Sequence, residues 1–274
     1  MAYRKTNVLP GFGLTLGYTL VYLSLIVLIP LGFMIFKVTS MTPAEFWKVA
    51  ASERAVASYR LTFGASFIAA SFNGVAGLLL AWVLTRYRFP GRRWMDALID
   101  FPFALPTAVA GLTLSSLFSE DGWLGRFLVP MGIKVVYEPL GIVVALTFVS
   151  LPFVVRTVQP VLEELDTEVE EAAATLGAGR LRTFFSVVLP GLLPALLTGF
   201  ALAFARAVGE YGSVVFLSSN RQFEAEITPF VIMGWLDQFE YANAIAVAVV
   251  MLSASFAILV SINLVERWAG RFQR

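Results

Sequence analysis

Arg206 and Glu210 stand one helical turn apart in FARAVGEYG, inside an otherwise apolar run. Ionisable side chains are costly in a membrane, so such residues mark function by default. A guanidinium at this place could attract a passing dianion. The carboxylate four residues on could equally neutralise it in a structural ion pair, although Arg before Glu is the less favourable order on a helix. Both readings stay open. Much other chemistry is excluded by residue types. The chain has no Cys and no His, which removes disulfides, thiol nucleophiles, His/Cys metal sites and any triad built on histidine. No G-x-x-x-x-G-K-[ST] occurs, so there is no P-loop to cradle ATP phosphates. Nearly all the acids lie outside the apolar runs, which speaks against a membrane-embedded enzyme.

A second constellation is FPFALPTAVAG, where Pro102 and Pro106 remove backbone donors within an apolar run. Such breaks are tolerated where neighbours or a water-lined cavity satisfy the freed carbonyls. The segment reads either as a broken helix lining a pathway or as an ordinary packed kink, and Asp100 beside it as an interfacial cap or a pathway residue. Asn73, Asn243 and Asn263, on other apolar runs, read mostly as hydrogen-bond glue between helices. Ser115 and Ser116 are ordinary in a membrane helix.

The third constellation is EVEEAAATLGAGRLRTFFSVVLP, from Glu168. Six acids fall between Glu163 and Glu171, and a Gly-punctuated basic turn follows. Thr167 and Glu170 have capping-box spacing, and acids in a first turn complement the helix dipole. A short helix is expected there. Val169, Ala172, Ala173 and Leu176 then share one face, and Gly177 fits the left-handed position that stops a helix. A second helical piece, Arg180 to Val187, leads into Leu189 and Pro190. The expected product is a small-residue knob at the membrane surface, unless the loop lies on its own bundle.

These residues need a membrane scaffold. The 274 residues are 58% hydrophobic and 14% charged, against roughly 25% charged in a soluble domain, and mean hydropathy is +0.78. Spanning takes about 20 apolar residues. Six spans are expected, at 11–36, 59–85, 94–118, 139–157, 187–217 and 242–265, with a polar loop at 160–186 and one membrane domain over 1–274. The first span is too long, and too weakly preceded by charge, for a cleaved signal. Arg4, Lys5, Arg86, Arg88, Arg92, Arg93, Arg156, Arg180, Arg182, Arg267, Arg271 and Arg274 fall on the side that holds both termini. By the excess of Lys and Arg in cytoplasmic loops, that side faces the cytoplasm. The net charge of +1 leaves no basic surface for nucleic acid.

Glu171-Ala172-Ala173, three residues, Gly177, nine residues, Val187, one residue and Leu189-Pro190 resemble the EAA motif of permeases in ATP-binding-cassette importers, with Val where Ile is commoner. LTRYRFPGRR, DFPFALPTAVAGLTLSSLFS, LPFVVRTVQPVLEEL and RAVGEYG extend the likeness, from about Leu9 to about Arg267. Together they resemble the T-type permease subunit of bacterial sulfate and thiosulfate importers, with GEYG where relatives show GEFG. The likeness is weaker around 52–57 and 121–138. It implies an all-α integral membrane protein of the type I importer fold, with six transmembrane helices and a coupling helix in the 160–186 loop, and a bacterial inner-membrane location. Glu170, Glu171, Ala172, Ala173, Leu176, Gly177, Leu189 and Pro190 would couple to an ATPase; Pro102, Pro106, Arg206 and Glu210 are pathway candidates. The implied partners are a homologous W-type permease, a dimer of cytoplasmic ATPase subunits carrying ATP and Mg, and an extracytoplasmic binding protein. The chain itself would bind no cofactor. Molybdate and tungstate permeases share the loop and offer the alternative cargo.

Overall fold

The computed structural model describes the backbone of residues 11–270 and side chains as far as Glu266. Arg4, Lys5, Arg271, Arg274 and the side chain of Arg267, used in the charge argument, lie outside the described residues.

Among the described residues all regular structure is helical. α1 spans Phe12–Val38. α2, Pro43–Ala50, starts at a capping box between Thr42 and Glu45. α3 is a 34-residue helix, Glu53–Arg86. Three short helices follow: α4 (Arg92–Ile99), α5 (Phe101–Ala104) and α6 (Thr107–Phe118). A small α7, Gly125–Leu128, precedes α8, Pro139–Glu164. α9, Thr167–Thr175, leads to α10, Arg180–Val208. The chain closes with α11 (Val214–Leu217), α12 (Thr228–Asp237) and α13 (Tyr241–Gly270).

α1, α3, α8, α10 and α13 are long and apolar enough to cross a membrane. The expected third span, 94–118, is not one helix. Leu105 takes an extended conformation ahead of Pro106, as the residue before proline must when the ring crowds it. Pro106 then serves as the N-cap of the 12-residue α6. Pro102 lies in the first turn of α5, where a missing N–H has no partner to lose, and the break beside it is milder, because Asp100 between α4 and α5 keeps a right-handed helical conformation. The expected fifth span, 187–217, also divides: its helix begins earlier, at Arg180, and ends at Val208. The 160–186 loop is mostly helical, since α8 runs on through Pro160 to Glu164.

α1 and α10 each contain a five-residue π turn, Ser24–Leu28 and Phe184–Val188. Each π turn ends two residues before a proline, Pro30 or Pro190. A proline removes an i→i−4 bond and crowds the preceding carbonyl, and widening the turn accommodates it.

α3, α8 and α10 form the centre of the bundle. Their contact is close because of two glycines. A Cβ on Gly77 would sit 2.8 Å from Val154 Cγ1, and one on Gly199 would sit 3.1 Å from Val154 Cα, so α3 and α10 both approach the same point of α8. Small residues at helix crossings replace the absent hydrophobic drive inside lipid with close packing. Leu84, Val155, Val158, Leu162, Leu192 and Phe204 fill the space around them. Asn73 acts as the expected glue, donating to Thr147 O at 3.0 Å and Ser150 Oγ at 2.9 Å. Asn263 does not, because its amide donates to Leu259 O of its own helix. Asn243 instead lines a cleft with Ser40, Glu45, Lys48 and Trp235. α1 has no buried residue; Leu31 and Met34 lie beside Val208, Met251 and Leu252, and most of its remaining apolar surface is exposed.

Candidate coupling surface and transport pathway

α9 forms where a helix is expected but starts differently. Asp166 is the N-cap, accepting from Glu168 N at 3.1 Å, and Thr167 is already helical. The Thr167–Glu170 capping box therefore does not form. Asp is as good a cap as Ser and better than Thr, and the carboxylate of Glu170 is engaged elsewhere: Arg86 Nη2 at the end of α3 donates to Glu170 Oε1 at 2.5 Å. The Trp82 ring centroid lies 5.6 Å from the Arg86 guanidinium. Trp82, Ala174, Arg180 and Phe184 line a cleft of about 290 Å³ between α9 and the bundle.

The helix stops at Gly177, whose φ is +83°. Gly177 N donates to Ala174 O and Ala178 N to Ala173 O, both at 3.0 Å, the paired bonds of a Schellman ending. Leu176 is 89% exposed. Val169, Glu171 and Ala172 are exposed beside it, whereas Ala173 is half-buried. The expected apolar face thus projects outward except at Ala173, and Glu170 turns inward. Leu189 and Pro190 stand apart from the projecting face, in the shaft of α10 behind the π turn.

The two interrupted helices meet each other. A Cβ on Gly212 would lie 2.2 Å from Thr107 Oγ1, and one on Gly111 would lie 2.5 Å from Ser213 O. Glycine at both positions lets the start of α6 press against the turn between α10 and α11. Interrupted helices of this kind line cavities or are sealed by protein. Arg206 Nη1 pairs with Glu210 Oε2 at 2.6 Å. Glu210 Oε1 accepts from both the backbone N and the Oγ of Ser213, each at 2.8 Å. Glu210 is 2% exposed and fixes the turn, while Arg206 remains 31% exposed. Tyr211, the residue that distinguishes GEYG, stacks on Phe230.

Sequence reasoning missed the partner of Asp100. Arg156 Nε and Nη2 bind the two Asp100 carboxylate oxygens at 2.8 and 2.6 Å. Arg156 Nη1 donates to Asp96 Oδ1 and Gln159 Oε1, and Nη2 also donates to Asp96 O. All five guanidinium donors are used, pinning the α4–α5 junction to α8. Arg156 near an apolar run was the available signal. The pair of Arg54 with Glu226 had none, since they lie 172 residues apart. Among the described residues no cluster of carboxylates could hold a metal ion.

The family of binding-protein-dependent transport system inner membrane components matches residues 73–271. The chain belongs to that family. Among these components, the sulfate transport system permease protein CysT of Salmonella typhimurium is 53% identical over 271 residues, covering 99% of this chain and 98% of that one. The corresponding protein of Escherichia coli K12 is 52% identical, covering 98% of each chain, and a probable sulfate permease protein of Nephroselmis olivacea is 47% identical, covering 93% and 89%. A bacterial importer of the polysaccharide alginate has the same fold, with a TM-score of 0.74 at 15% identity over 92% and 93% of the two chains. The MetNI methionine transporter aligns at 0.59 and 20% identity, covering 84% and 99%. The fold is thus that of type I importer permeases, all-α and membrane-integral, and this family member is a multi-pass permease of the T type.

Proposed function

We propose that the chain is the membrane subunit of an ATP-driven importer that moves sulfate, and also thiosulfate, by alternating access. The observation that carries the cargo is the end-to-end match to permeases named for sulfate transport, at 53% and 52% identity. Molybdate and tungstate are not favoured, because the relatives that match over the full length carry the sulfate name. In this reading hydrolysis belongs to a dimer of separate ATPase subunits, which hold ATP and Mg. A homologous W-type permease completes the membrane part, and an extracytoplasmic binding protein delivers the anion. The alginate importer, solved with a ligand-bound periplasmic protein, offers the analogy.

α9 is the surface offered to the ATPase, through Leu176, Val169, Glu171 and Ala172. Both termini and α9 lie on the cytoplasmic side, where Arg86, Arg88, Arg92 and Arg93 also cluster. Closure of the ATPase pair shifts α9, and two links carry the shift: Arg86–Glu170 to α3, and the chain through Gly179 to α10. Transport requires ATP to favour one conformation over the other, because a ligand bound equally by both shifts nothing. At the far end of α10 the shift reaches Arg206, whose half-exposed guanidinium suits a dianion, whereas the Glu210 carboxylate is fully occupied by Arg206 and Ser213.

Vesicles holding the chain with its partner subunits test this reading. Labelled sulfate should enter only with ATP and binding protein, thiosulfate should compete, and molybdate should compete poorly. Uptake of molybdate in preference to sulfate would overturn the cargo assignment. Arg206→Gln, combined with Glu210→Gln so that no buried carboxylate is left without its arginine, should weaken uptake per assembled subunit, and affinity equal to that of Glu210→Gln alone would leave Arg206 a structural partner only.

A further inference from the structure

Arginines crowd the turn from α3 into α4, and their partners divide them unequally. Arg86 is taken by Glu170. Asp96 and Asp100, the carboxylates of α4 and its junction, are taken by Arg156. Arg88, Arg92 and Arg93 are left: among the described residues no carboxylate pairs with any of them. These three line one surface cleft of about 390 Å³ together with Phe89, Gly91 and Trp94. Three guanidinium groups around one space repel one another unless an anion lies among them.

Beside the cleft, starting from Trp94 in its lining, the same helix carries an apolar stripe. Trp94 is 79% and Leu98 66% exposed, Phe101 beyond them 49%, and Ala97 between them is exposed. Their i, i+3, i+4 and i+7 spacing makes one stripe. The opposite side of α4 is fixed inward by buried Ile99 and by the Arg156 contacts. A helix with Trp and Leu on one face and arginines at the edge lies in the membrane interface. Tryptophan and tyrosine settle at headgroup depth, and Tyr87, at the mouth of the turn, is also exposed.

We propose that the cleft of Arg88, Arg92 and Arg93 binds the phosphate of an anionic phospholipid, with Trp94 and Leu98 set into the acyl boundary beside it. Basic clusters next to a span recruit anionic headgroups through this combination of charge and depth. An acidic surface of a soluble subunit fits less well. The apolar stripe runs from Trp94 through Phe101 toward Phe103 of the interrupted span, also exposed, so the surface that begins with the arginines continues into hydrocarbon. The bound lipid would anchor the α3–α4 turn next to Arg86, the residue that holds α9.

Native mass spectrometry of the assembled transporter in detergent, offered phosphatidylglycerol and phosphatidylcholine, tests the site without relying on transport or on the cargo. The unaltered complex should retain phosphatidylglycerol selectively. Each arginine removed should weaken retention about fivefold, and Arg88→Gln/Arg92→Gln/Arg93→Gln on the order of a hundredfold. Phosphatidylcholine should be unaffected. Sulfate and inorganic phosphate at millimolar concentration should fail to displace the lipid, because neither reaches the apolar stripe. Trp94→Ala should weaken retention with the arginines intact. Should the triple variant not assemble, Arg93→Gln alone must show the fivefold loss. Unchanged lipid retention in these variants, displacement by free sulfate or phosphate, or loss of the ATPase subunits with the lipid still bound would each overturn the proposal.

Discussion

α3 is held in different ways at its two ends. At the Glu53 end, Arg54 grips Glu226 with two bonds, of 2.8 and 2.5 Å, and the carboxylate is 2% exposed. A buried hydroxyl cluster backs this pair: Thr62 Oγ1 lies 3.0 Å from Thr228 Oγ1 and accepts from Thr228 N at 2.8 Å, with Ser58 Oγ 3.3 Å from Thr228 Oγ1. At the Arg86 end a single contact reaches Glu170, whose side chain is 27% exposed. Arg86 Nε there is buried without a hydrogen-bond partner among the described residues. A two-bond fork fixes distance and angle together, whereas one bond lets the partners pivot. The far end is a lock, and the α9 end is an articulation.

That contrast can be broken at either end. The largest effect is expected from Arg54→Ala, which leaves the Glu226 carboxylate buried and unpaired. Removing one partner of a buried pair costs about 3–5 kcal/mol. The subunit should disappear from membranes or melt far lower, and adding Glu226→Gln should recover part of the loss. Equal thermal stability of Arg54→Ala and the parent would show that the lock is not one.

Next comes Gly177→Val. A Cβ at Gly177 meets no atom within 4 Å, so no clash arises, but a β-branched residue held at φ +83° is strained by about 1–3 kcal/mol. The Schellman ending of α9 should re-form differently while α3, α8 and α10 stay packed. ATP-dependent uptake should be lost at normal membrane levels. Normal uptake would detach Gly177 from coupling.

Smaller again is the articulation. Arg86→Glu and Glu170→Arg should each lower uptake about fivefold, matching roughly 1 kcal/mol for an ion pair whose carboxylate is partly exposed, with a smaller change in melting than Arg54→Ala. The double charge reversal should restore uptake toward normal. If each single reversal instead destabilised the subunit as strongly as Arg54→Ala, the two ends would not differ. The smallest effect is expected from Asp166→Ala, at about 0.5 kcal/mol for an exposed cap. It should raise hydrogen exchange of the first α9 amides, whereas Thr167→Ala should leave them unchanged because Thr167 is not the cap.

The sequence resolved these regions unevenly. Helix existence along α1, α3, α8, α10 and α13 was legible because long apolar runs have one low-energy form in lipid. The ending of α9 was legible too, since only glycine takes the left-handed position readily. Its beginning was misplaced by one residue, because Asp166 and Thr167 compete for the same N–H groups and the competition turned on where Glu170 went. Pro102 and Pro106 look alike in sequence. Pro106 marks the sharper break, since Leu105 before it is extended whereas Asp100 before α5 stays in the helical region.

Residue types and their spacing thus determined a membrane-bound bundle of helices and a short capped helix outside it, in a sequence without a P-loop motif, histidine or cysteine. These depend on composition and on contacts a few residues apart. Tertiary structure alone decided which charges meet: Arg54 with Glu226, Arg86 with Glu170, and Arg156 with Asp96 and Asp100, leaving Arg88, Arg92 and Arg93 without a carboxylate among the described residues. Ion pairing depends on distance in space, and helices that cross at Gly77, Val154 and Gly199 bring together residues that no local pattern relates.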